Sequence, residues 1–117
     1  MNGHDERNIK RILYFADALS ETLGLRGITP ELVKSDSYTQ WAVTTPLYNI
    51  GELTTHLSHD LRDAHPEIPW SKIAGLRHRL VHDYEGTNWN IVVGVLFEDL
   101  PIFARQVRNL LENSLLS

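Results

Sequence analysis

Apolar residues recur at helical intervals along almost the whole of this chain. Ile9, Ile12, Leu13, Ala16, Leu19 and Leu23 are spaced by threes and fours, so one face of a helix carries them all. Gly24 and Gly27 end that stripe. Thr29 and Pro30 restart the chain as an N-cap hydroxyl and a first-turn proline, and residues 31–34 read as a short helical piece. A second long stretch runs from about Ser37 to Ala64, with Trp41, Ala42, Thr45, Ile50, Leu53, Leu57 and Leu61 in its pattern. Pro46 lies inside it and is expected to kink it or break it in two. The segment His65-Pro66-Glu67-Ile68-Pro69 is a stop. Ser71 can cap a third helix running to about Tyr84, which Gly86 would end through a positive φ. Thr87 or Asn88 can cap a fourth, with Trp89, Val92, Val95, Leu96, Phe103, Val107, Leu110 and Leu111 as apolar positions and a bend at Pro101. Residues Ile91 to Phe97 suit a strand by composition, but no second candidate strand exists to pair with them. The expectation is an all-α, up-and-down helical bundle, one domain over residues 1–117.

Composition narrows the classes further. A chain of 117 residues buries roughly 65% of its unfolded surface, enough for one core. An apolar share of 42% argues against a wholly disordered chain. The run from Ile91 to Phe97 is the longest without a polar residue, far below the roughly 20 that span a bilayer. Asp5, Glu6, Arg7, Lys10, Arg11 and Asp17 leave no room for a signal-peptide core. With no cysteine, disulfides, thiol catalysis and Cys-based metal sites are excluded, and a cytoplasmic location is expected.

The net charge is −4, which argues against a simple coat for nucleic acid. Its distribution is uneven. Residues 70–84 hold Lys72, Arg77 and Arg79 against Asp83 alone, with His78 and His82 besides, in an otherwise acidic chain. A solvated helix face produces such a cluster too. The cluster nevertheless gathers what phosphate chemistry needs. Arginine is a permanent cation whose planar fork matches phosphate oxygens. Histidine exchanges a proton near neutrality. RNA cleavage needs no metal when the adjacent 2′-hydroxyl attacks; a proton carrier and cations for the transition state suffice.

The helical wheel restricts this idea. Arg77 and Tyr84 lie within about 20° of each other, whereas His82 stands roughly 140° round the axis from Arg77. Three arrangements bring guanidinium and imidazole to one phosphate. The arginine reaches round, the helix unwinds near Gly86, or two copies combine their helices in a dimer. The third also doubles the local positive charge. Plainer readings stand beside these. On composition alone, Arg77 and His82 are first of all surface or interface residues. His78 and His82 are spaced i, i+4 like metal-binding histidines, but no Glu follows His78, so HExxH is not met. His56, His59 and His65 read as exposed surface histidines. No metal and no cofactor is expected.

The pattern Arg77-x4-His82-x-Tyr84 resembles the R-x4-H-x-Y motif of HepT-like toxins in the HEPN superfamily. Around it, Asn49-Ile50-Gly51-Glu52, Ile68-Pro69-Trp70, Gly75-Leu76-Arg77, Leu80-Val81-His82-Asp83-Tyr84 and Asp99-Leu100-Pro101 match in order and spacing, over roughly residues 5–113. The resemblance implies an all-helical homodimer that acts as a metal-independent endoribonuclease, the toxin of a type VII toxin–antitoxin pair. It implies a partner of the MntA-like minimal nucleotidyltransferase type, which transfers AMP units from ATP to the motif tyrosine. Carried over, Arg77 steadies the scissile phosphate and His82 handles the proton. His78 and Arg79 support or contact RNA, and Tyr84 is the AMPylation target and an RNA contact. Leu53 and the segment holding Trp41, Pro46 and Tyr48 depart from the family pattern and bear on groove shape and partner. Two further readings remain open: a non-catalytic helical module that binds a nucleotide or a partner, and a structural interaction protein.

Overall fold

The computed structural model describes residues 1–82 and 86–116. The described residues contain helices and connections and no strand. Helix α1 spans Gly3–Leu25 and buries Ile9, Ile12, Leu13, Ala16 and Leu19, the stripe read from the sequence. Gly27, at φ 59°, turns the chain out of it. Only a residue without a Cβ takes that conformation at little cost. Thr29 then accepts a bond from the Leu32 amide and Pro30 opens α2 (Pro30–Ser35), as expected. Asp36 caps α3 (Ser37–Thr55) through the amide and hydroxyl of Thr39, bonds that hold its carboxyl below the usual aspartate range.

Of the kink or break expected at Pro46, the break does not occur: α3 runs through the proline. A proline forfeits one intrahelical bond. Around it, the Thr44 hydroxyl bonds the Gln40 carbonyl and the Asn49 amide bonds the Thr45 carbonyl. The buried side chains Val43, Leu47 and Ile50 keep the surrounding turns on the core. The break falls instead at residues 56–58, before the short α4 (His59–Ala64). The cause is tertiary. Asp5, 2% exposed, accepts bonds from the Ser58 amide at 2.9 Å and the Ser58 hydroxyl at 2.6 Å. Ser58 in turn caps α4 through the Leu61 amide. One carboxylate at the start of α1 thus fixes where the α3 segment stops.

The expected third helix is two. Helix α5 covers Trp70–Ala74 and α6 covers Leu76–His82, parted at Gly75. Pro69, not Ser71, precedes the first turn, and no side chain caps it. Trp70 takes over the anchoring. Its indole N–H bonds the His65 carbonyl at 2.9 Å and its ring meets Phe103 edge-on, centroids 5.8 Å apart. Burying an aromatic of this kind is worth about 2–3 kcal/mol. The expected end of this helix at Tyr84 lies outside the described residues.

Asn88 caps α7 (Trp89–Gly94) through the Asn90 amide. Val95–Asp99 then forms a π-turn, in which the Leu100 amide bonds the Val95 carbonyl, and α8 runs Leu100–Leu116. A bend was expected at Pro101; what the structure shows is this widened turn ending two residues before it. Helix α3 packs against α1, α5 and α6, and α1 packs against α8, around Ile9, Ile12, Leu47, Ile50, Ile73, Leu80 and Phe103. Among the described residues no helix is long and apolar enough to cross a membrane.

Replacing Asp5 with Ala leaves the Ser58 amide and hydroxyl without their partner. We expect a loss of about 2 kcal/mol in urea-unfolding stability. An unchanged midpoint and slope would show that the bonds do not hold α1 to the α4 cap.

Candidate functional site

The site is built where α3 meets α6. Gly51 lies on the buried side of α3, and a Cβ placed there would sit 2.8 Å from the Arg77 amide nitrogen and 3.1 Å from the Ile73 carbonyl oxygen. Any side chain at 51 would push the two backbones apart. Because the next residue along α3 is Glu52, the same contact brings its carboxylate to the Arg77 guanidinium. The Arg77 Nη1 donates to Glu52 Oε2 at 2.9 Å, and the His56 Nε2 lies 3.0 Å from Glu52 Oε1. The Arg77 guanidinium beside Glu52, and then the His56 ring, hold this carboxyl below the usual glutamate range.

The pair is open to solvent, with side-chain exposures of 47% for Arg77 and 31% for Glu52. An ion pair that wet contributes only about 0–1 kcal/mol to folding. Its effect is therefore directional. It parks the guanidinium on the face of α6 that meets α3, and an anionic ligand can compete for it at small energetic cost. A further pair, Lys72 Nζ to Asp99 Oδ2 at 2.9 Å, ties α5 to the π-turn and steadies the segment leading into α6.

The other residues named from the sequence are not all brought to this point. His78 is exposed on α6. Arg79, two residues beyond Arg77, lines a small pocket of about 120 Å³ with Leu80, Gly86, Asn88 and Ile91. It thus faces the start of α7 and not α3. His82 is the last residue of α6, and the tyrosine of the motif, Tyr84, lies outside the described residues. His56, His59 and His65 are at the surface or half-exposed, placed respectively beside Glu52, Arg62 and Glu67. Among the described residues no three or more acidic or histidine side chains gather as a metal site. A larger groove of about 560 Å³ runs between α1 and α8, past Leu23, Phe97 and Arg105, and among the described residues its lining includes neither Arg77 nor His78 nor Arg79.

Sequence reasoning gave no role to Glu52. It appeared only as part of a matching tetrapeptide. A glycine followed by a carboxylate, on the helix before an arginine-bearing one, is the signal that could have assigned it.

A family model described as Ribonuclease HepT-like matches residues 6–110. A protein of Caldanaerobacter subterraneus subsp. tengcongensis, named as an RNase, is 31% identical over 104 residues, covering 89% of this chain and 91% of its own length. One of Thermococcus cleftensis, named as a ribonuclease HepT, is 38% identical over 66 residues, covering 56% of this chain and 60% of its own. One of Methanocaldococcus jannaschii, also named as an RNase, is 27% identical over 106 residues, covering 87% and 95%. No solved structure matches.

The lowered carboxyl of Glu52 gives a direct check of the contact. The Glu52–Arg77 bond is intact at neutral pH and is lost as pH falls through the depressed folded value. In an NMR titration the Glu52 side chain should have its midpoint below that of an ordinary glutamate and move upward in Arg77→Ala. A midpoint indifferent to that substitution would mean the pair does not form in solution.

Proposed function

The chain belongs to the ribonuclease HepT-like family and is an RNase, and on that premise we propose that it is the metal-independent endoribonuclease toxin of a type VII toxin–antitoxin pair, working as a homodimer of one domain, residues 1–117. The observation that carries this reading is the Arg77 guanidinium, exposed and positioned by Glu52 on a short helix that ends with His82. Cation and proton carrier, the two groups that cleavage by a neighbouring 2′-hydroxyl needs, both stand on this helix.

The wheel argument supports the dimer. On a helix of regular pitch, positions 77 and 82 are about 140° apart, so a single copy of α6 does not offer both to one phosphate. Two copies packed about a twofold axis do. In the proposed reaction, the His82 imidazole of one copy takes the proton of the attacking 2′-hydroxyl. The 2′-oxygen bonds to the adjacent phosphorus, and the 5′-oxygen leaves with a proton from the other copy's imidazole. A cyclic phosphate and a free 5′-hydroxyl remain. Arg77 moves from Glu52 to the phosphate oxygens and offsets the charge that grows on them. His78 and Arg79 support the site or contact RNA beyond the scissile phosphate.

The partner in this reading is an MntA-like nucleotidyltransferase. The Tyr84 phenol oxygen attacks the α-phosphorus of ATP, pyrophosphate leaves, and AMP stays on the tyrosine. The added phosphate occupies the cation meant for substrate and repels an RNA backbone. Several AMP units would fill the groove as a short RNA does.

Arg77→Ala and His82→Ala should each lower RNA cleavage by about 10²-fold or more, with EDTA present and circular dichroism unchanged. Undiminished cleavage in both variants removes the site. Incubation with the partner and ATP should add AMP-sized mass increments to the chain and none to Tyr84→Phe. Increments that persist in that variant would move the acceptor elsewhere.

A further inference from the structure

The face of α3 turned away from the core carries a row of residues of which the proposed chemistry uses only Glu52. Tyr38, Trp41, Thr45, Glu52 and His56 follow one another at helical spacing, all within about 60° of a common line. Val43, Leu47 and Ile50 take the opposite side and are buried. At the far end of the row, Tyr38 is 76% and Trp41 55% exposed, and their rings meet edge-on with centroids 5.3 Å apart. At the near end, Glu52 holds Arg77. The stretch from Trp41 to Glu52 is about 16 Å long, close to five nucleotides of stacked strand and fewer of extended strand.

We infer that Tyr38 and Trp41 form a base-stacking platform for single-stranded RNA, which aligns the strand along α3 so that a phosphate a few nucleotides away reaches Arg77. The inference rests on the ribonuclease reading above and adds the subsite. Two observations favour RNA over a protein as occupant. The row lies on one helix face with the guanidinium proposed to take the phosphate. The two rings together expose roughly 300 Å², well below the ~800 Å² per partner of a stable protein interface. A chain of net charge −4 gains little from phosphate contacts alone, so a strand bound here needs uncharged contact as well. Stacking on an aromatic ring supplies that for any base.

The test separates binding from cleavage. A fluorescein-labelled 2′-O-methyl oligouridylate of about ten nucleotides lacks the attacking hydroxyl, so it reports binding by anisotropy without being cut. Trp41→Ala should weaken it about tenfold and Trp41→Phe should recover most of that. On the unmodified strand, Trp41→Ala should raise KM by a similar factor while kcat changes little, and the loss should be much smaller on a dinucleotide. Equal affinity of Trp41→Ala and the parent chain overturns the platform. So does unchanged RNA affinity together with an altered mass by sedimentation, which would assign the rings to a protein interface. Binding that depends on Trp41 with no cleavage by the parent chain keeps the platform and removes the nuclease reading.

Discussion

The contact between Gly51 and the backbone of Arg77 governs the rest of the site. Helix α3 and helix α6 approach until a single missing Cβ decides the distance, with the Arg77 amide nitrogen 2.8 Å from where that carbon would be. Packed interiors do not yield to an added methyl group without moving backbone. The glycine therefore sets the separation of the two helices, and through it the reach between Glu52 and Arg77. Trp70 against Phe103 and Lys72 against Asp99 fix the approach of α5 from the other side. Arg77 is thus located by packing several residues away from its own charge.

The electrostatics of the pair suit a cation that has to be lent out. A buried ion pair would hold its arginine against any ligand, because breaking it strands a charge away from water. This one is wet on both sides, so each partner is readily solvated when the other departs. Glu52 remains ionised throughout the neutral range, since Arg77 and His56 both favour its charged form. It therefore also repels an anion that does not engage Arg77 directly. A short segment of positive charge, guarded by one carboxylate on an acidic molecule, favours a strand held by its bases as well as by its phosphates.

Much of the fold was legible in residue order. The stripe from Ile9 to Leu19, the Thr29–Pro30 start and the cap at Asn88, one of the two positions read for it, are all local, and each appears where local rules put it. Pro46 was expected to kink α3 or break it in two, yet the break lies at residues 56–58, where Asp5 of α1 captures Ser58 from 53 residues away. That contact is long-range, and periodicity carries no record of it. The motif helix was expected to be continuous from Ser71, yet it parts at Gly75, a glycine that periodicity alone passes over.

By itself, the amino-acid sequence determined the helical class, the basic segment at 70–84 and the candidate residues Arg77, His78, Arg79, His82 and Tyr84, since spacing and side-chain chemistry are properties of the chain order. Tertiary structure alone decided that Arg77 is held by Glu52 and that Arg79 faces the start of α7. Those facts depend on the distance and rotation between helices. Two backbones meeting at a glycine set them, and no reading of one helix at a time contains them.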